Sequence, residues 1–445
     1  MSGHNPPSSG KRQSLLAGLL SNDEDARVCK DIPDDACRQV AGNRRRLILA
    51  QLATALAELM INAKTVLPWL FQAVGAPVWL IGWLVPIRES GSMLPQLMLG
   101  ARVRQMPLRK GAWLWGAGLQ AACLVLMAVA ALLSSGWLAG VLLLLLLALM
   151  SLSRGLCSIA AKDVLGKTIP KNERGGVTGT GASLAGGVGL VFGLLLTLAG
   201  ELPLWGYVLI LLAAALVWAL GMLCYRQIRE YPGATEGGVN GWRHAINSLR
   251  LVRDDAAFGR FLLVRTLLMS TALVTPYYVL LARDYNGGLQ SLGGLQSLGG
   301  LVLAQGLAQF ASSWVWGRLA DVSSRRVMQL AGMIAAGLGL AVWLHLSLGG
   351  TAPAGYFAGV VFILSLAHAG VRVGRKTFLV DLAGGDRRTD YVAVSNTLMG
   401  LLLLAAGALS MLLALLSGLA VILVFSLLTI LGVWLAQGLP DVQAH

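Results

Sequence analysis

The chain has 445 residues, 56% of them hydrophobic and only 13% charged, with a mean hydropathy of +0.70. A soluble domain cannot hide that much apolar surface, so the composition requires lipid as the solvent. The formal charge of +14 invites a nucleic-acid partner, but it sits in short loops on one side of the apolar segments, which excludes that reading.

Residues 1–46 form a polar tail with acids at 23–25 and 31–35 and a basic stop at Arg44-Arg45-Arg46. No apolar stretch opens it, so no cleavable signal peptide is expected. Cys29 and Cys37 lack CxxC spacing and a nearby histidine pair, and read as ordinary thiols rather than metal ligands. Twelve helix-length apolar spans follow, at 47–72, 77–100, 112–133, 137–160, 176–199, 203–225, 257–282, 298–316, 327–348, 354–374, 390–413 and 417–437. None alternates with a period of two, which excludes a transmembrane barrel. The expected organisation is a tail (1–46), a six-span half (47–225), a polar linker (226–256), a second six-span half (257–437) and a short tail (438–445). A direct hexamer repeat, GGLQSLGGLQSLGG at 287–300, reads as a local duplication in a tolerant loop.

The basic residues alternate with the spans. One set of loops carries Arg102, Arg104, Arg109 and Lys110, then Lys162, Lys167, Lys171 and Arg174, then Arg226 through Arg260, Arg318, Arg325 and Arg326, and Arg372 through Arg388. Among the basic residues between spans, the opposite loops carry only Arg283. This bias is a topology signal: it predicts both termini in the cytoplasm, in a bacterial-type inner membrane, with anionic lipid headgroups against the basic loops.

The two halves resemble each other. Gly100-Ala-Arg-Val-Arg104 and the basic pair Arg109-Lys110 correspond, about 217 residues on, to Gly317-Arg-Leu-Ala-Asp321 and Arg325-Arg326. Arg154 stands nine residues before Asp163, and Arg372 nine before Asp381, at an offset of 218. Two unrelated marks at nearly one offset imply homologous halves, and parallel halves place the working site where they meet, near the bilayer midplane.

Gly317-Arg-Leu-Ala-Asp321-Val-Ser-Ser-Arg325-Arg326 resembles the cytoplasmic loop signature of the major facilitator superfamily, G-x-L-A-D-R-x-G-R-R/K, with Val322 and Ser324 departing from it. The resemblance implies an all-α integral membrane fold, twelve transmembrane helices in two pseudo-symmetric six-helix bundles, and transport by alternating access. It also implies a cytoplasmic gate at Gly317, Asp321, Arg325 and Arg326. The paired marks Arg154, Asp163, Arg372 and Asp381 are assigned to the same gate. Arg104 occupies the position equivalent to Asp321, so Asp163 is expected to pair with Arg102 or Arg104. Exporters of this superfamily often carry Gly-Pro-x-x-Gly-Gly in span five; here Gly186-Gly187 stands without the proline.

Four ionisable residues lie deep in the first two spans: Glu58, Lys64, Arg88 and Glu89. At ~1.5 Å per residue, Glu58 and Arg88 each lie ~17 Å from a span end, near the midplane. An unpaired charge there costs ~2.5–3.5 kcal/mol, so these residues must pair or line water. Glu58 is expected to face Arg88. A buried carboxylate can exchange protons in the working pH range, which makes Glu89 the first candidate proton carrier and Glu58 the second, with Arg88 tuning them. Counting 217 onward lands on Thr275 and Gln305, so Thr275, Tyr277, Tyr278, Gln305 and Gln309 are expected as a neutral cavity wall, with His345 and His368 as weaker candidates. Two acids and two bases leave the charge of the solute open.

The sequence thus reads as a secondary transporter of a small organic solute, proton-coupled and working as a monomer. An uncoupled facilitator and a non-transporting sensor or scaffold are the alternatives. No phosphate-binding loop, HExxH or G-x-S-x-G occurs, so neither ATP hydrolysis by that route nor the commonest hydrolase chemistry is expected, and no cofactor.

Overall fold

The computed structural model describes residues 38–94, 99, 102–103, 105–200, 202–232, 250–286, 298–353, 355–382 and 388–442. Among these every regular element is helical, and helix lies over each of the twelve expected spans. Eight helices are long and apolar enough to cross a membrane by themselves: those of spans three, four, six, seven and nine to twelve. Of the other four, spans one and two hold Glu58, Lys64, Arg88 and Glu89 and are broken, and spans five and eight contain only shorter apolar helices, Leu184–Ala199 and Leu298–Ser312. Trp115, Leu133, Leu198, Phe310 and Leu416 are among many large apolar side chains left exposed on the outside of the bundle, as a lipid-facing surface requires. The chain is an integral membrane protein.

Span one starts earlier than the sequence suggested. Its first helix is Val40–Met60, so Arg44–Arg46 lie inside it rather than before it. After a break at 61–65 it resumes as Val66–Ala73. The Asn62 side chain accepts from the Lys64 N–H at 2.8 Å, and Pro68 falls in the first turn of the second piece, where its missing N–H costs nothing. Span two is Val78–Ile81 and Leu84–Met93, broken at Gly82-Trp83. Span seven is Ala256–Leu268, Ser270–Leu273 and Thr275–Asn286, with Pro276 at its last break. Spans eight and nine form one helical run, Leu298–Ser347, interrupted where Ser323 turns extended. Irregular backbone at membrane depth is tolerated only where it is buried in protein or lines a cavity, and each of the three broken spans contributes to the cavity described below.

Packing repeats between the halves. Span six packs on spans one and three, and span twelve packs on spans seven and nine. Across the seam, span two packs on span eleven and span five on span eight, which is itself a symmetric pair of contacts. Each half also clips its last span to the loop before its third. Glu230, after span six, accepts from the backbone N–H of Arg109 (2.8 Å) and Lys110 (2.7 Å) at the start of the span-three helix, Lys110–Leu133. Asp441, after span twelve, pairs with Arg325 at 3.4 Å, while Arg325 also donates to the Leu439 carbonyl at 2.8 Å. The start of the expected C-terminal tail is therefore docked, with Leu439 buried.

Candidate functional site

Glu58 ends the first helix of span one, Arg88 and Glu89 sit mid-way along Leu84–Met93, and Arg154 lies on the span-four helix, Gly136–Thr168. Their side chains converge. Arg154 grips the Glu58 carboxylate with Nε at 2.9 Å and Nη2 at 3.0 Å, a bidentate fork. Arg88 Nη2 reaches the same carboxylate at 3.4 Å. The Arg88 side chain is 7% exposed against 30% for Glu58, so Arg88 is the member most dependent on the pairing. Its Nη1 is buried with no hydrogen-bond partner among the described residues.

A second group crosses the seam. Lys64 Nζ lies 3.2 Å from His368 Nε2, and His368 Nδ1 lies 2.9 Å from the Thr271 hydroxyl. An ammonium can only donate, so Nε2 accepts and Nδ1 carries the hydrogen that it donates to Thr271. Thr271 in turn donates to the Leu268 carbonyl at 2.9 Å. Asn62 donates to Gln305 Oε1 at 3.1 Å, again between halves.

Glu89 differs from Glu58. Among the described residues its carboxylate has no direct hydrogen bond or ion pair, although Arg154, Lys64, Arg88 and Arg375 all act on it electrostatically. Arg372 likewise has no direct partner among the described residues, and Glu89 is the acid whose field reaches it.

Glu58, Asn62, Lys64, Arg88, Glu89, Arg154, His368 and Arg372 line one cavity of about 170 Å³, together with Thr275, Gln305, Gln309 and Ser365. The repeat is visible in its walls. Glu58, Arg88 and Arg154 come from the first half, and Thr275, Gln305 and Arg372, at the equivalent positions, come from the second. A second cavity of about 260 Å³, lined by Leu47, Trp113, Leu165, Val177 and others, is mostly apolar and lies wholly within the first half. It does not join the halves.

Several placements differ from the sequence reading. Arg154 and Arg372 stand on the cavity wall. The span-four helix runs to Thr168 instead of 160 and the span-ten helix, Tyr356–Leu382, to 382 instead of 374. At ~1.5 Å per residue Arg154 is thus ~21 Å from its helix end and Arg372 ~15 Å from its own. Asp163 pairs with Arg109 at 3.0 Å and not with Arg102, while Arg104 lies outside the described residues. Tyr277 and Tyr278 do not line the cavity. They are fully buried in the core, with the Tyr277 hydroxyl 2.8 Å from that of Ser410. Arg326 and Asp381 are exposed and Arg325 binds Asp441. Gly317 and Asp321 fall on the 298–347 helix but outside the residues described at side-chain level, as do residues 1–37, 233–249 and 287–297 altogether. His345 sits away from the cavity, 2.9 Å from the Thr351 carbonyl. Asn62 and Ser365 were missed because a lone amide or hydroxyl in an apolar span carries no charge to mark it.

The halves are also held together away from the basic loops. Arg283, in the last turn of span seven, donates to Gln72 Oε1 at 2.7 Å and lies 5.8 Å from the centroid of the Trp69 ring, both at the end of span one. Along spans two and eleven, Trp83 Nε1 donates to Met411 Sδ at 3.2 Å.

No family model matches the chain, and no curated protein matches it. Solved structures do. A POT family transporter in complex with 5-aminolevulinic acid aligns with a TM-score of 0.68 at 12% identity, over 88% of this chain and 94% of that one. A point mutant of the nucleoside transporter NupG aligns with a TM-score of 0.68 at 13% identity, over 89% and 99%. The xylose transporter XylE from E. coli, in its inward-open conformation, aligns with a TM-score of 0.62 at 12% identity, over 91% and 97%. At such identities the likeness is one of fold: the chain has the fold of major facilitator transporters.

Proposed function

We propose that the chain is a secondary active transporter that moves a small organic solute by alternating access and couples it to protons. The observation that carries this reading is the central cavity, to which the two halves contribute equivalent positions. A cavity built across a pseudo-symmetric seam can be exposed to either side by rocking one half on the other. In this reading the halves are 47–225 and 257–437, the linker 226–256 allows the rocking, and 1–46 and 438–445 are the tails. The basic loops face the cytoplasm of a bacterial-type inner membrane, so both termini are cytoplasmic, and the monomer is the working unit.

Glu89 is the proton carrier. A proton can reach and leave it without breaking an ion pair, whereas Glu58 is engaged by two guanidiniums. Lys64 and Arg88 set the field around both. Arg154 and Arg372 belong to this central group, and the cytoplasmic gate is made by Gly317, Asp321, Arg325 and Arg326 with Asp163 and Asp381. Gln305, Gln309 and Thr275 give the solute neutral contacts.

Proteoliposomes test this. Vesicles with an imposed proton gradient are incubated with a metabolite mixture, and their contents are read by mass spectrometry. At least one solute should accumulate above its bath concentration, and a protonophore should abolish the accumulation. Glu89→Gln should lose accumulation and keep downhill exchange. Downhill entry that ignores the gradient would identify a facilitator. No entry faster than into protein-free vesicles would sink the transport reading.

A further inference from the structure

The cavity is not neutral. Besides the two acids and the two bases read in the sequence, its wall carries Arg154 and Arg372. Lys64, Arg88, Arg154 and Arg372 therefore face Glu58 and Glu89, an excess of two positive charges, with His368 neutral as the acceptor for Lys64. Glu58 is shared by two of the four cations. Among the described residues Arg372 has no direct partner and Arg88 keeps a buried Nη1 with no acceptor. Unused guanidinium donors inside a membrane protein are costly, and they are the groups best shaped to grip an oxyanion.

We propose that the solute is a small organic anion, seated by Arg372 from one half and the Arg88 guanidinium from the other. The proposal rests on the transport reading for the word solute, but the seat stands on the cavity's own charges. The volume of about 170 Å³ lies below the ~300–1,000 Å³ typical of drug-sized ligands, so the occupant is of metabolite size. An anion bound across the seam would also tie the halves together. With its charge beside Glu89, proton uptake on that carboxylate becomes more favourable, which links anion and proton in one direction of movement. The charged groups coupled to Glu89 come from span one (Lys64), span two (Arg88), span four (Arg154) and span ten (Arg372 and Arg375), and these are all cationic.

The test measures the cavity potential without any flux. Ser365→Cys and, separately, Ala369→Cys place a thiol on the lining of the full-length protein. Each is treated with sulfonatoethyl or trimethylammonioethyl methanethiosulfonate, and labelling is read site by site by mass spectrometry. The anionic-to-cationic rate ratio, normalised to a free thiol in solution, should exceed ~10-fold at either position. Arg372→Gln should lower that ratio about threefold or more, and Arg372→Lys should retain it. A ratio at or below one, or one indifferent to Arg372→Gln, overturns the anion seat and leaves the transport reading standing. A failed uptake experiment with a high ratio does the reverse.

Discussion

Replacing Glu58 by glutamine keeps the shape of the side chain and removes the charge that bridges Arg88 and Arg154 directly. Breaking a fully buried pair costs ~3–5 kcal/mol because a charge is left uncompensated, and an exposed pair ~0–1 kcal/mol. The cluster lies between these limits: Arg88 is 7% exposed, but Glu58 and Arg154 are 30% and 31% exposed on the cavity wall. A loss of ~2 kcal/mol follows, or ~30-fold in the unfolding equilibrium, discounted from the buried limit for that exposure. With the low end of the ~2–4 °C per kcal/mol seen for mid-sized domains, Tm falls by ~4 °C. The 13 tryptophans make intrinsic fluorescence a suitable readout in detergent, at one fixed scan rate. Glu58→Gln combined with Arg88→Gln should recover at least half of the loss, since the buried orphan is then gone. A Glu58→Gln protein within ~1 °C of the parent, or a double variant whose losses simply add, would refute the idea that Glu58 neutralises Arg88.

Other consequences concern the seam and the clips. Arg283→Ala removes a cross-half hydrogen bond and a ring contact worth ~1 kcal/mol together, so labelling of a cavity cysteine by an impermeant reagent from that side should rise ~5-fold; an unchanged rate would show that this contact closes nothing. A Cβ at Gly407 would come 2.7 Å from the rigid Pro86 ring, so Gly407→Ala should cost ~1–3 kcal/mol in thermal unfolding, while Gly186→Ala, with open space around it, should be neutral or stabilising. Glu230 is 1% exposed and accepts from two helix N–H groups, so Glu230→Ala should lower Tm more than Asp441→Asn, whose carboxylate is 25% exposed; the opposite order would contradict the capping role.

Much of the fold was legible because apolar length and loop charge are coarse signals that a bilayer enforces. The spans came through even where a helix is broken at Asn62–Thr65 or Gly82-Trp83, since lipid selects on hydropathy and not on helix continuity. The Glu58–Arg88 pair was legible because two charges at equal depth on neighbouring spans have few other partners. Helix ends were not. Gly136–Thr168 continues past the apolar stretch, and that extension moved Arg154 from the expected gate to the cavity. The same error on span ten hid Arg372, and with it the charge of the site. Tyr277 and Tyr278 misled because rotation about a helix axis is not encoded in a lone aromatic pair. Lys64–His368 and Asn62–Gln305 join residues 304 and 243 positions apart, a kind of contact that only the packing of the halves creates.

Alternation about the charged cavity is the central claim, and a pair of distance measurements tests it without a known solute. Spin labels at Gly75 and Asp284 report the end where Arg283 closes, and labels at Leu108 and Val322 report the basic-loop end. Both distances are read by pulsed electron resonance under acidic and neutral conditions, in the parent and in Glu89→Gln. The two distances should change in opposite senses with pH, and Glu89→Gln should abolish the response. Two distances that stay fixed, or that move in the same sense, would contradict it.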